Sequence, residues 1–444
     1  MNYPELAAGL ERRLLADAAD CNIASDWYDG NQPLPKMLEK CGDQYKRLVR
    51  SARTNWAALV VDAAADRLFV EGFAFADTND MLPWDLWQAS DMDAGSSEAI
   101  LEALICGRAP MMVTLDGGDV RITPEDPRQV IVKYASGSGR RVRTAALKRF
   151  IDDWGYSTVE LMLPGELIRW RSAMSVTVDG SGGEWFGHSP MVLRDPEVLI
   201  GPAVVPIVEL HANARVGRSG RSELAGAFET LGRIDKLTAD MMLAAEYGAF
   251  RQRWATGLEV PRDDTGNPIE PFAAAINRLW VSESDETKFG DFESTSLAGY
   301  LDAIKDQVHF LAAIKKTPPH YLLSGMTNLS ADAIKAAEAS LVSRVQRHQR
   351  AFAEAFEQLI RLALSLIGDP RANDRSAQTI WRNSETRTMS ERADALTKLK
   401  DLIPEEVLWE MWGFTPQEIE RMRRLRLSGL FTARVAEPGL VLNA

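Results

Sequence analysis

The stretch that decides the fold is Thr317-Pro318-Pro319-His320-Tyr321-Leu322-Leu323-Ser324-Gly325-Met326-Thr327-Asn328-Leu329. Its two prolines oppose helix continuation and push the residue before them toward extended geometry, so a loop is nearly forced. Upstream, from about Ser296 to Lys315, Leu297, Leu301, Ile304, Val308 and Leu311 fall on one helical stripe, with Asp302, Lys305 and Asp306 off it. Downstream, Ser330 offers a side-chain oxygen to the free amides of a new helix. The apolar positions Ile334, Leu341, Val345, Phe352, Phe356, Leu359, Ala363 and Leu366 carry that helix to about Ile367. At 1.5 Å per residue it is roughly 55 Å long, more apolar stripe than one small core covers, which predicts packing against equivalent neighbours.

Farther upstream, a first helix is predicted from about Ser222 to Gly248. Leu224, Phe228, Leu231, Ile234, Met241 and Ala245 share one face, and Glu223, Glu229, Asp235, Lys236 and Asp240 occupy the other. Between the two helices, Arg251 to Ser294 holds Pro261, Gly266, Asn267, Pro268, Pro271 and Gly290 around the apolar pieces Leu258 to Val260 and Leu279 to Val281. This reads as a small, turn-rich subdomain. The order of helix, turn-rich insert, helix, Pro-rich loop and very long helix is rare among enzymes and suits one subunit of a ring around a channel.

At 444 residues the chain is too long for one ordinary core and predicts several lobes. With 45% hydrophobic and 26% charged residues it is globular. Cys21, Cys41 and Cys106 suggest no paired framework and fit a reducing cytoplasm. Met1 begins no signal-peptide pattern and no apolar run is long enough to span a bilayer, so a soluble protein without membrane contact is expected. Net charge is −12, from 63 acidic and 51 basic residues, the wrong sign for a protein that grips duplex DNA. A wall that repels phosphates offers no deep electrostatic wells. The acidic balance therefore favours a conduit over a clamp.

Several short motifs, in order along the chain, resemble the portal proteins of tailed bacteriophages, in the siphophage branch and most closely those of actinobacterial phages. Asp26-Trp27-Tyr28-Asp29-Gly30-Asn31-Gln32-Pro33-Leu34-Pro35 is similar to that family's entry motif. Asn55-Trp56, Leu59 to Ala63 and Asp66 to Phe73 resemble its next helix and strand. Gly107 to Val113 resembles a strand following a helix, and Asp126-Pro127-Arg128-Gln129-Val130 a strand-entry turn. Leu402 to Glu406 with Gly413-Phe414-Thr415 resembles its terminal helices.

The resemblance implies a mixed α+β portal fold and a ring of twelve subunits at one capsid vertex. DNA would enter through the ring during packaging and leave through it at ejection. The implied spans are an α/β wing over 1–221, a first stem helix over 222–248, a clip over 249–293, a second stem helix over 294–316 and a tunnel loop over 317–329. A long wing helix over 330–368, a helical crown over 369–431 and a tail over 432–444 complete the chain. The implied partners are further copies of the chain, the terminase large subunit, a head-completion adaptor, the major capsid and scaffolding proteins, and double-stranded DNA that passes through the channel without sequence-specific contact. The implied location is the virion, with assembly in the host cytoplasm, and no cofactor is implied.

Candidate contact residues follow from these spans. Lys315 and Lys316 either complement the dipole at the end of their helix or touch passing DNA. His320, Tyr321, Leu322, Ser324, Gly325 and Met326 would form a steric collar, since the loop holds no Lys or Arg. Arg251, Arg253, Trp254 and Trp280 would meet clip partners, with burial inside the clip an equal alternative for the two tryptophans. Arg421, Arg423, Arg424 and Arg426 follow the capping box Thr415-Pro416-Gln417-Glu418 and form either a solvated helix face or a DNA contact in the crown. Arg140, Arg141 and Arg143 after Gly137-Ser138-Gly139 read as an exposed hairpin tip, and Gly180 to Gly183 as a wing loop.

Enzyme chemistry finds little support. There is no G-x-x-x-x-G-K-[ST] phosphate loop, and His188, His211, His309, His320 and His348 lack zinc spacing. Asp91-Met92-Asp93 lacks a calcium-loop register and reads as a turn capping the helix to Ile105. Trp27 and Trp56 read as packing residues. Two other classes stay open: a metal-dependent nuclease of phage origin, which predicts magnesium-dependent cleavage, and another head-morphogenesis protein that does not form rings.

Overall fold

The computed structural model describes residues 2–35, 43–75, 81–137, 142–172, 197–200, 202–249, 253–257, 286–291, 296–323, 331–385, 389–399, 402–414 and 418–426. Helix and sheet are mixed, as expected.

The chain enters as α1 (Tyr3–Tyr28), whose buried residues Ala7, Leu10, Leu14, Ala18, Cys21, Ala24 and Trp27 recur at steps of three and four along its full length. There follow α2 (Asp43–Ser51), α3 (Trp56–Ala65), β1 (Val70–Ala74), α4 (Leu82–Gln88) and α5 (Met92–Cys106). Next come β2 (Arg108–Asp116), β3 (Asp119–Pro124), β4 (Val130–Tyr134), β5 (Arg143–Ile151), β6 (Ser157–Leu163), β7 (Glu166–Arg171), β8 (Glu197–Ile200) and β9 (Ile207–His211).

Strands β4 to β8 form an antiparallel sheet in sequence order, and β9 returns beside β2 to give the order β3-β2-β9. The five-stranded sheet is apolar on both sides because successive strand side chains point to opposite faces. Ile131, Leu147, Leu161, Ile168 and Trp170 pack on Leu10 and Leu14 of α1. Val130, Val132, Ala146 and Met162 pack on Val205 and Ile207. Arg108, buried, joins the two sheets: it donates to the Val130 carbonyl at 2.8 Å, the Pro127 carbonyl at 2.6 Å and Glu209 Oε1 at 3.0 Å. The turn before Val130 and the strand after Gly107 stand where the sequence placed them.

The remaining elements are α6 (Phe228–Ala249), β10 (Arg253–Thr256), β11 (Lys288–Asp291), α7 (Ala298–Lys315), α8 (Pro319–Leu322), α9 (Ala331–Leu366), β12 (Gln378–Trp381), α10 (Met389–Leu399) and α11 (Glu405–Trp412), then a helix over residues 418–426. β12, within the span assigned to the crown, pairs antiparallel with β1.

Several expectations need correction. The helix expected from Ser222, α6, begins at Phe228. Residues 223–227 are turns, because Gly226 takes a left-handed φ of 81° and the Glu223 amide donates to the Leu104 carbonyl. The Pro-rich stretch is not all loop: Pro319 opens the single turn α8, where its missing N–H costs nothing. The long helix has the expected length, about 54 Å for 36 residues. Its stripe from Leu341 onward, however, is covered by its own chain. Phe352, Phe356, Leu359 and Ile360 are fully buried with Trp87, Ile100 and Leu104, and Trp87 meets Phe356 edge-on with ring centroids 5.3 Å apart. Wrapping by the N-terminal elements supplies what one small core lacked.

Cys21 and Cys106, expected to be unpaired, are joined as a disulfide with a Cα–Cα separation of 4.4 Å. Arg143, expected at an exposed hairpin tip, sits in β5, and burial lowers the pKa of its guanidinium. Asp91 adopts a left-handed φ of 52° before α5 without a side-chain cap. Trp27 is buried and packs on Phe228, as a packing residue should. Gly180 to Gly183 lie outside the described residues.

Gly107 and Gly220 bring two backbones into contact. A Cβ on Gly220 would meet the Gly107 carbonyl oxygen at 1.7 Å, and one on Gly107, at φ 87°, would meet the Arg221 backbone at 2.7 Å. Gly220→Ala should therefore lower stability by roughly 2 kcal/mol or more, read as a reduced thermal unfolding temperature. A neutral result would mean that this crossing relaxes freely.

Candidate functional site

The chain places the Pro-rich stretch against three other parts of the molecule. Lys315 at the end of α7 reaches Glu223 and Ala225 just before α6, and Arg233 Nε donates to Gln307 Oε1 at 2.8 Å, so α6 and α7 run antiparallel. The residues that organise this junction are charged and buried.

Glu223 sits at its centre. Its carboxylate accepts from Asn213 Nδ2 at 2.7 Å, and lies 3.2 Å from His348 Nε2 and 3.6 Å from Arg344 Nη1. The Glu223 carbonyl accepts from Lys315 Nζ, which also donates to the Ala225 carbonyl at 2.8 Å. Arg344, from the middle of α9, donates Nη1 to the Lys315 carbonyl and to Thr317 Oγ1 at 3.3 Å, and Nη2 to the Val60 carbonyl at 3.0 Å. One guanidinium thus closes the orphan end of α7, holds Thr317 two residues beyond it and ties both to α3. Burial alone would raise the Glu223 pKa. The His348 and Asn213 contacts and the Arg344 charge outweigh it and hold the carboxyl at about 2. Burial lowers the pKa of Lys315, against the attraction of Glu223.

A second cluster holds α8. Arg67 Nη2 donates to Tyr321 Oη at 2.7 Å and lies 3.1 Å from Glu338 Oε1, while its Nη1 donates to the Ser384 carbonyl at 3.0 Å. Tyr321 Oη donates to Glu338 Oε1 at 3.2 Å, and the His320 ring stacks on Tyr321 at 4.8 Å between centroids. Both ends of the segment 315–323 are therefore bolted to α9, one through Arg344 and the other through Glu338.

The expected contact residues divide accordingly. Lys315 neither serves its own helix end nor faces solvent: its ammonium is spent on two carbonyls before α6. Leu322, expected in a collar, is buried in the main core. Lys316 caps α7 in a left-handed conformation, and Tyr321 keeps 40% exposure. Ser324, Gly325 and Met326 lie outside the described residues, as do Arg251, Trp280 and the apolar pieces around Leu258 and Leu279. Arg253 begins β10, which pairs antiparallel with β11. Trp254, 38% exposed, lies over Gly290, where a Cβ would meet its ring at 2.3 Å.

Three of the four C-terminal arginines are ion-paired: Arg423 and Arg424 to Glu420, and Arg426 to Glu405. Arg421 is exposed. Of the capping box, Thr415 to Gln417 lie outside the described residues.

Sequence reasoning put Glu223 and Asp235 on a polar helix face, yet both are buried. Asp235 accepts from Gln32 Nε2 at 2.8 Å and from the Thr54 amide and hydroxyl at 3.0 Å, tying α6 to the N-terminal entry motif. Arg344 and His348 carried one usable signal. They fall among Leu341, Val345 and Phe352, on the stripe that periodicity alone assigns to the core.

Comparison with known proteins matches residues 10–426 to the family described as phage portal protein, SPP1 Gp6-like. The portal protein of Mycobacterium phage D29 is 30% identical over 404 residues, covering 84% of this chain and 78% of that protein. That of Mycobacterium phage L5 is 29% identical over 405 residues, with the same coverage.

Replacing Arg344 with Met leaves the Glu223 carboxylate buried without its guanidinium partner. The expected cost is about 3–5 kcal/mol, read by chemical denaturation. Stabilisation from Glu223 should be complete above its ordinary pKa of 4.5 and fade as the pH falls toward 2, because its folded pKa lies below its unfolded one. Glu223→Gln should flatten acid unfolding across that window. An unchanged acid limb would remove Glu223 from the network.

Proposed function

Because the chain belongs to the SPP1 Gp6-like family of phage portal proteins, structural components of the virion that connect head and tail, we propose that twelve copies close into a ring at one capsid vertex. DNA passes through this ring during packaging and ejection. The observation that carries the reading is the antiparallel pair α6 and α7, which leads through an anchored turn into the 36-residue α9.

In this reading α6 and α7 are the stem, β10 and β11 belong to the clip, and residues 317–329 are the tunnel loop. The N-terminal α/β elements with α9 form the wing, and α10, α11 and the helix over 418–426 belong to the crown. The upper stem is sealed: Leu231, Ile234, Val308 and Leu311 are buried. Farther along α7 its apolar stripe runs out of cover, and Leu301 is 47% exposed. On the opposite face Phe310 and Ile314 are 55% and 52% exposed. Neighbouring subunits supply the cover that such large apolar side chains lack.

The two clusters at 315–323 give the tunnel loop a fixed base. DNA leaning on the loop would push against Arg344 and Glu338, and so against α9 and the wing, instead of unwinding α7. The Arg67 link from Tyr321 to the Ser384 carbonyl carries the same load toward the crown. Lys316, Tyr321 and His320 are the described residues nearest to the channel in this arrangement.

Exposed Trp254 faces the clip's partners, with Arg253 as a candidate contact on the same strand: the terminase large subunit during filling and a head-completion adaptor afterwards. The capsid and scaffolding proteins meet the wing in the host cytoplasm. Arg421 is the crown arginine left for packaged DNA, since ion pairing offsets the charge of the other three. No helix among the described residues is long and apolar enough to cross a membrane.

Light scattering and negative-stain microscopy of one purified fraction should give a ring of about twelve subunits with a central hole. A monomer at every salt and protein concentration, with magnesium-dependent DNA cleavage, would favour a nuclease instead. Excising Ser324 to Met326 spares buried Leu322. It should leave rings intact while impairing DNA retention, and normal packaging in that mutant would refute the collar.

A further inference from the structure

Cys21 and Cys106 lie 85 residues apart in sequence and together in space, and neither belongs to the stem, loop or clip. Cys21 is on α1 and 3% exposed, whereas Cys106 ends α5 and is half-buried. The Cys106 sulfur lies 3.3 Å from Glu102 Oε1 one turn earlier, and 3.9 Å from Ser25 Oγ. Arg128 Nη2 approaches the same Glu102 oxygen at 3.7 Å, and Asp126 pairs with Arg128.

The position of Cys21 gives the pair mechanical meaning. The first half of α1 carries the five-stranded sheet through Ala7, Leu10 and Leu14, and its last turns enter the main core through Ala24 and Trp27. Cys21 stands between these two sets of contacts. A bond from Cys21 to α5 fixes the helix that carries the sheet to the core that carries the stem.

We infer that Cys21 and Cys106 form a reversible thiol–disulfide site, open as two thiols in a reducing cytoplasm and closed by a small-molecule disulfide such as oxidised glutathione outside it. The compartments rest on the reading under Proposed function, while the chemistry does not. Cys106, the more accessible thiol, loses its proton and attacks oxidised glutathione, forming a mixed disulfide and releasing one glutathione. Cys21, as thiolate, then attacks the Cys106 sulfur and releases the second. Two protein thiols are oxidised, one glutathione disulfide is reduced to two thiols, and the two thiol protons end on the released glutathiones.

Glu102 is a positioning residue in this scheme. A carboxylate beside Cys106 disfavours its thiolate, so it slows exchange, and it makes Cys106 a poor leaving group once the bond has closed. Closure ties a loop of 85 residues in the unfolded chain, a constraint that favours the folded state. Cys21, Glu102 and Cys106 also converge closely enough to hold a soft metal ion, which is the competing use of the same atoms.

The test equilibrates the full-length protein in glutathione buffers of rising oxidised fraction, alkylates free thiols and maps cysteines by peptide mass. The expected result is a Cys21–Cys106 disulfide with only Cys41 alkylated, and a rise in unfolding temperature that dithiothreitol removes. Cys21→Ser should lose the rise and Cys41→Ser should keep it. If Cys21→Ser fails to fold, the reduced and oxidised wild-type protein give the same comparison. Glu102→Gln should close several-fold faster, and an unchanged rate would remove Glu102 from the scheme. Three alkylatable thiols at every ratio, a bond to Cys41, or one zinc per chain shielding both thiols would each overturn the proposal. Light scattering on the same samples reports ring assembly separately, so failure of the thiol site is distinguishable from failure of the portal reading.

Discussion

The buried ion cluster around Glu223 is the constraint on which the rest of the structure hangs. Its participants come from three distant parts of the chain: Asn213 and Glu223 between β9 and α6, Lys315 at the end of α7, and Arg344 with His348 on α9. Charges taken out of water are costly unless their lone pairs and protons are satisfied. Because Arg344 satisfies the carbonyl that ends α7 and Lys315 satisfies two carbonyls in the turns before α6, the cluster fixes where α7 stops against the entry to α6. An apolar contact would slide; this one has a single register.

That fixed register gives the segment that follows α7 its base. A loop between two helices that could twist independently would transmit little force. Here α8 is held by Glu338 and Arg67, and the residues just before it by Arg344, all within the reach of α9 and α3. The long helix in turn is buried from Leu341 onward among β9, β2 and α4, so its position is set by the largest core among the described residues. The placement of α8 therefore depends on packing far from it.

Much of the architecture was legible because it is periodic. Val308 and Leu311 on α7, and Phe352, Phe356 and Leu359 on α9, are buried at the spacing that a helical stripe demands. The prolines at 318 and 319 broke the helix where expected, although the same ring geometry let Pro319 start a short new one. Periodicity misjudged Glu223 and Asp235, whose partners Arg344, His348, Thr54 and Gln32 are remote in sequence. A charged residue next to an apolar stripe looks solvated until the fold brings it a partner.

By itself the sequence determined the helical order, the break at Pro318-Pro319, the length of the long helix and, through its ordered motifs, membership of the phage portal protein family. These are local properties, set by side-chain spacing and backbone chemistry within one element. Only the tertiary structure decided that Lys315 turns inward, that Leu322 is core, that the long helix is wrapped by its own chain, and that Cys21 meets Cys106. Each of those depends on which distant atoms fill the space around a side chain, and no spacing within a single segment encodes that.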